Sequence, residues 1–208
     1  NIQFQIESLV DAWKWQSNDH ILNILPLHHI HGIINVLGCA LWSGACCEFL
    51  PKFDSKKVWD KISSAELTLF MAVPTIYFKL IDFWESSTKD KKLLLSRGVK
   101  KLRLMVSGSA ALPVSVLEKW KEITSHILLE RYGMTEIGMA LSNSYEGERR
   151  PGHVGLPLPG VQVRLADSNG NEIKNFGDSG EIQIKGPNVF KEYWNKPNET
   201  IESYQDGW

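Results

Sequence analysis

The feature that most limits what this chain can fold into is an alternation along its first two thirds. Short apolar runs, too short for helices, occupy 21–25, 48–50, 68–73, 102–106 and 126–129, and helix-length stretches separate them. Residues 4–16 put Phe4, Leu9, Val10 and Trp13 on one side, as an amphipathic helix does. Residues 33–45 read as a buried helix ended by Gly44. Phe53-Asp54-Ser55 leads into a helix carrying Val58, Trp59 and Ile62, and Pro74-Thr75 opens another. In 113–125, Val114, Leu117, Trp120 and Ile123 recur every three residues. Strands that alternate with helices imply parallel βαβ units and an α/β layered sheet. In such sheets ligands sit beyond the carboxyl ends of the strands. The loops 26–32, 107–112 and 131–138 all follow expected strands, so they are the first places to look for chemistry.

After about Ser142 the character changes. Glycine and proline become dense, 161–165 and 181–185 alternate polar with apolar, and Asn169-Gly170 is a hairpin-turn signal. Residues 150–190 read as a small antiparallel sheet or partial barrel. The expectation is an α/β fold, with a parallel-sheet layered unit over 1–142 followed by a β-rich subdomain over 143–208.

Composition narrows the function classes. The chain has 208 residues, 43% hydrophobic, with 23 basic and 24 acidic side chains for a net charge of −1. That suits one ordinary domain or two small ones with a real core. It provides no overall field for nucleic acid or an anionic membrane. Lys89, Lys91, Lys92, Lys100 and Lys101 cluster, and read as a solvated helix end and loop. Cys39, Cys46 and Cys47 make neither a disulfide framework nor zinc-ligand spacing, and read as small core residues. The longest apolar region, 33–45, is interrupted by Asn35, Gly38 and Ser43 and falls short of the roughly 18 residues a membrane span needs. The chain starts without Met and stops at Trp208 in mid-pattern; it reads as an internal piece of a longer protein.

The richest loop is Glu130-Arg131-Tyr132-Gly133-Met134-Thr135-Glu136-Ile137-Gly138. Glycine lets backbone approach a phosphate, a Thr hydroxyl donates to a phosphate oxygen, a carboxylate can hold Mg²⁺, and a Tyr ring offers a stacking face. Thr135 and Glu136 alone could also form a helix N-terminus. Tyr132-Gly133-Met134-Thr135-Glu136 resembles the Y-G-x-T-E core of the adenylate-forming superfamily, which includes acyl-CoA synthetases, luciferases and peptide-synthetase adenylation domains. Ser107-Gly108-Ser109-Ala110-Ala111-Leu112-Pro113 is similar to that family's adenine-side loop. Leu25-Pro26-Leu27-His28-His29-Ile30-His31-Gly32 is similar to its His-containing acyl-site motif. Order and spacing agree across essentially the whole chain.

The resemblance implies the N-terminal domain of an adenylate-forming enzyme, and a two-step reaction. A carboxylate attacks the α-phosphate of ATP and pyrophosphate leaves; CoA thiol then displaces AMP. It implies Thr135 on the α-phosphate, Glu136 on Mg²⁺, Tyr132 with Gly133 and Met134 at the adenine, and backbone of 107–111 along the adenine edge. It also implies His29 beside the acyl carboxylate and α-phosphate, with His28 packing or facing solvent.

Arg131 stands just before the Tyr-Gly pair, where many relatives carry an uncharged residue. A buried guanidinium wants an anion, and a second carboxylate on the acyl substrate would supply one through a bidentate pair. The plain alternative is a salt bridge from Arg131 to Glu130 or Glu136. The string around Arg131, with His29-x-His31-Gly32 and 186–191, resembles malonyl-CoA synthetases. By that resemblance the acid is malonate or methylmalonate, His31 and Lys79 assist Arg131, and the compartment is the mitochondrial matrix. The alternatives are a synthetase for another short- or medium-chain acid and a non-catalytic nucleotide- or acyl-binding module. The family's upstream phosphate loop and mobile C-terminal domain have no counterpart here, so these 208 residues by themselves are expected not to turn over.

Overall fold

The computed structural model describes residues 1–208. Seven strands form one sheet in the order β2-β1-β3-β4-β5-β6-β7: β1 (His20–Asn23), β2 (Cys46–Phe49), β3 (Leu69–Ala72), β4 (Leu104–Ser107), β5 (Leu129–Met134), β6 (Gly138–Ser142) and β7 (Leu156–Pro157). The first five are mutually parallel; β6 and β7 continue the sheet antiparallel. The sheet therefore reaches past residue 142. A separate antiparallel pair, β8 (Gln162–Ala166) with β9 (Glu181–Lys185), carries the β-rich end of the chain. The Asn169-Gly170 turn lies between them, held by the Asp167 carboxylate, which accepts from the backbone of Asn169 and Asn171.

Successive side chains of the parallel strands alternate between two cores. Ile21, Leu69, Met71, Leu104, Val106 and Leu129 enter one core. Leu22, Phe70, Ala72 and Met105 enter the other. A strand turns successive side chains to opposite faces, so near-continuous apolar runs require cover on both. One face is covered by α1 (Ile2–Ala12) and by a π-wound segment, His31–Gly38, that continues into α2 (Cys39–Ser43). The other is covered by α3 (Ser55–Ser63), α4 (Pro74–Glu85), α5 (Lys89–Gly98) and α6 (Val114–Thr124). Trp59, Tyr77 and Trp120 form the aromatic centre of that second layer, with rings 5.0–5.5 Å apart across Trp120. A short helix α7 (Pro197–Glu202) closes the chain. No helix is long and apolar enough to cross a membrane.

This topology positions a site. From β1 the chain steps to β2 on one side; from β3 onward it builds outward on the other. Parallel crossovers keep one hand, so helices connecting the two directions fall on opposite faces. The carboxyl ends of β1 and β3 then open a crevice at the point of reversal.

The structure corrects the sequence reading in several places. The first helix ends at Ala12 rather than reaching residue 16. The fifth strand runs Leu129–Met134, not 126–129, so Arg131 to Met134 are strand residues and only Thr135 to Ile137 form a turn. Pairing with both β4 and β6 draws that segment into the ladder. The Lys89–Lys92 cluster is the first turn of a full helix, with Lys91 and Lys92 laid over the rings of Phe83 and Trp84. The 33–45 segment is helical but leaves Ile33, Leu41 and Trp42 exposed.

Candidate functional site

A cavity of about 600 Å³ opens at the reversal point. Ile24, Leu25 and Pro26 line it after β1, Val73 and Ile76 after β3, Ser109 after β4, and the end of β5 with the turn that follows. A second cavity of about 330 Å³ lies on the other side of β5, walled by Tyr132, by Ile182 and Ile184 of β9, and by the aromatic rings of Phe190, Tyr193 and Tyr204. Strand alternation explains the division. Arg131 and Gly133 line the first cavity, and Tyr132 lines the second. Met134 and Glu136 border both, and Thr135 borders the first.

Arg131 is 5% exposed, and its Nε and Nη2 have no hydrogen-bond partner. Burial pushes its pKa down to about 10, which leaves it cationic at neutral pH. The alternative ion pair does not form. Glu130 accepts from the Gly152 backbone N–H at 3.0 Å, and Glu136 accepts from the Tyr193 hydroxyl at 2.8 Å. A buried cation without a counter-charge is costly, and Arg131 lines the cavity, so an anion bound there would offset that cost. Gly108 makes room for the Arg131 side chain: a Cβ there would fall 2.4 Å from the guanidinium carbon.

His31 is 3% exposed and completes this corner. Its Nδ1 lies 3.2 Å from Ser109 Oγ, and its Nε2 is unpartnered. Burial, and then the charge of Arg131, hold its pKa well below the usual value, so the ring is neutral. The π-wound start of the helix places His31 here, packed on the loop from Pro26: Asn23 Nδ2 reaches the Gly32 carbonyl, and the Gly32 α-carbon passes so close to the Pro26 carbonyl that a Cβ would fall 2.5 Å from it. His29 is more exposed, borders the same cavity and lies against His28, ring centroids 4.3 Å apart.

Of the small-residue loop, Ser107 and Gly108 are buried while Ser109, Ala110 and Ala111 are exposed. Ser109, at φ +69°, turns its hydroxyl to His31. Lys79 is not brought to the site. Its ammonium stands 5.8 Å from the centroid of the Phe53 ring, and its carbonyl accepts from Ser55 at the start of α3. An exposed lysine there keeps its hydration and an aromatic contact, and α4 presents Ile76 to the cavity instead.

Two parts of the site escaped the sequence reading. Val73 and Ile76 wall the cavity from the end of β3; placing the reversal point between β1 and β3 would have found them. Tyr193 holds the Glu136 side chain from 57 positions away, and no local signal announces that.

The chain spans about 40% of the length of the curated relatives it matches. The family model described as AMP-binding enzyme matches residues 1–194. The mitochondrial malonate–CoA ligase ACSF3 of Mus musculus is 48% identical, covering 100% of this chain and 40% of that protein. The ATP-bound structure of MatB from Rhodopseudomonas palustris superposes with a TM-score of 0.90 at 39% identity, over 99% of this chain and 39% of that one. A malonyl-CoA ligase product complex with methylmalonyl-CoA and AMP superposes with a TM-score of 0.87 at 36% identity, over 99% and 43%.

Proposed function

The chain belongs to the AMP-binding enzyme family, and from that premise we propose that it provides the acyl and nucleotide site of a ligase that joins malonate or methylmalonate to CoA at the expense of ATP. The observation that carries this reading is Arg131: a buried guanidinium with two unpartnered donors that lines the cavity and forms no ion pair, since Glu136, the carboxylate of the same cavity, is bonded to Tyr193. A diacid supplies that charge through its far carboxylate, with neutral His31 Nε2 beside it. Acetate or octanoate would leave the cation unpaired, and a site built for a polar partner rejects substrates that lack it.

With the far carboxylate on Arg131, the near one points toward Met134 and Glu136, where the two cavities meet. The nucleotide enters from the Tyr132 side, its base against the aromatic wall. Thr135 donates to the α-phosphate and His29 stands beside the reacting carboxylate, so attack at phosphorus is promoted by positioning and charge neutralisation. Pyrophosphate leaves, and the thiol of CoA then displaces AMP from the acyl-adenylate. Glu136 is the one carboxylate bordering both cavities, and no group of three potential metal ligands is gathered anywhere in the chain. That donor set fits Mg²⁺ carried in with the phosphates and held by a single protein carboxylate. Bound there, Mg²⁺ neutralises phosphate charge. The mitochondrial relative supports the same compartment for this protein.

The test is acid-dependent ATP–pyrophosphate exchange by the full-length protein on malonate, methylmalonate, acetate, octanoate and a phenylpropenoate. Exchange is expected with the two diacids, falling at least about a hundredfold in Arg131→Ala, because a charge-assisted bidentate pair is lost. Exchange on monocarboxylates, indifferent to Arg131, would overturn the diacid assignment.

A further inference from the structure

We propose that Tyr193 is a positioning residue that fixes the Glu136 carboxylate for a divalent cation; the proposal rests on the reading of Glu136 given above. Tyr193 Oη donates to Glu136 Oε1 at 2.8 Å. That bond occupies one carboxylate oxygen and leaves the other for the metal. The last torsion of a free glutamate is broad, so an unrestrained carboxylate would present its oxygens to the phosphates in many orientations.

The segment that carries Tyr193 is built to hold this turn. Asn188 Nδ2 donates to the Ile137 carbonyl at 2.6 Å, and the Phe190 N–H donates to the Glu136 carbonyl at 2.7 Å. Residues 188–193 therefore grip the Glu136-Ile137 backbone and the Glu136 side chain together. Tyr193 is itself anchored. Its N–H donates to Thr200 Oγ1 at 3.0 Å, and its ring meets Phe190 edge-on with centroids 4.7 Å apart. Phe190 in turn stacks on Tyr204, whose hydroxyl donates to the Phe190 carbonyl. The β-rich end of the chain thus reaches back to aim the one carboxylate that borders both cavities. Partners that orient a ligating carboxylate commonly matter about 10–100-fold in metal affinity.

The test is Mn²⁺ binding to the full-length protein in the presence of saturating ATP, read from the free Mn²⁺ spin-resonance signal, for the parent and for Tyr193→Phe, Glu136→Gln and Asn188→Ala. Tyr193→Phe keeps the ring contacts, and thermal melting checks that it folds. Its Mn²⁺ dissociation constant is expected to rise about tenfold or more, with Glu136→Gln at least as weak and Asn188→Ala, which loosens the backbone of the turn but leaves the hydroxyl donor on the carboxylate, less affected than Tyr193→Phe. Normal Mn²⁺ binding by Tyr193→Phe beside a weakened Glu136→Gln would overturn the role of Tyr193 and leave that of Glu136 standing. Normal binding by Glu136→Gln would instead remove the metal reading of Glu136. Asn188→Ala weakening as much as Tyr193→Phe would reduce Tyr193 to part of a general tether.

Discussion

Arg131, on β5, and His31, on the segment after β1, meet at the carboxyl edge of the sheet, and the Arg131 charge disfavours a proton on His31. His31 is neutral because burial and the Arg131 charge both oppose its protonation. The consequence for stability has a definite sign. Above pH 6.5 His31 is neutral in folded and unfolded chains alike, and its contribution is complete. Below pH 6.5 the unfolded chain takes up a proton that the folded one refuses, so stability falls by at most about 1.4 kcal/mol per pH unit until the folded pKa is reached. His126, lowered by burial despite its bond to the Val99 carbonyl, acts in the same direction. Replacing only His31 separates the two. The drop in urea midpoint between pH 7.5 and pH 5 is expected to shrink in His31→Gln; an unchanged drop would mean His31 protonates freely in the fold. Arg131 and the Tyr-Gly-x-Thr-Glu residues stand out in the sequence because their residue types suggest their chemistry, and in the structure they line the two cavities. Lys79 has a charge that fits the same role, but its helix places its ammonium by the Phe53 ring, away from the residues that line the cavity.

At the scale of elements, the β5–β6 hairpin sets the distance between Arg131 and Glu136. The strands pair through Arg131–Ser142 and Tyr132–Leu141, then shift register between Tyr132 and Gly133. Gly133 permits that shift. A Cβ there would fall 2.0 Å from the Gly138 carbonyl and 2.8 Å from the Met139 α-carbon, both backbone and unable to step aside. Gly133→Ala is expected to cost about 2 kcal/mol, seen as a drop of roughly 4–8 °C in melting temperature, and to weaken catalysis further by moving Glu136 relative to Arg131. A variant that melts like the parent would show the hairpin to be pliable. Helices and strands were largely legible from apolar periodicity, which is a local property. The exact run of β5 was not, because its last residues are polar and enter the ladder only through their partners on β4 and β6.

Across the whole molecule, the amino end of the sheet is tied by one ion pair. Arg103, at the start of β4, donates through Nε to Asp19 Oδ1 at 2.8 Å and through Nη1 to the Trp13 carbonyl at 3.0 Å. Thr68, before β3, donates to the same Asp19 carboxylate at 2.7 Å. Burial opposes ionisation of Asp19, but the bonds from Arg103 and Thr68 prevail and hold its carboxyl below the usual range. Three strands and the end of α1 are joined at that point. Arg103→Met leaves a buried carboxylate unpaired and is expected to lower stability by about 3–5 kcal/mol in urea unfolding at pH 7. A loss below about 1 kcal/mol would mean the pair is as weak as a surface one.

The sequence by itself determined the α/β alternation, the two-faced burial of the strands, the loops at which the cavities open and the short motif that marks the family. Each of these is written in local periodicity or in the chemistry of a short motif. The tertiary structure alone decided that Arg131 and Tyr132 open on different cavities, that no acid side chain pairs Arg131, that Lys79 stays away and that Tyr193 reaches Glu136. Those outcomes depend on the register at which distant segments pair and on which face each helix covers. They are set by packing across the sheet, which no window of neighbouring residues contains.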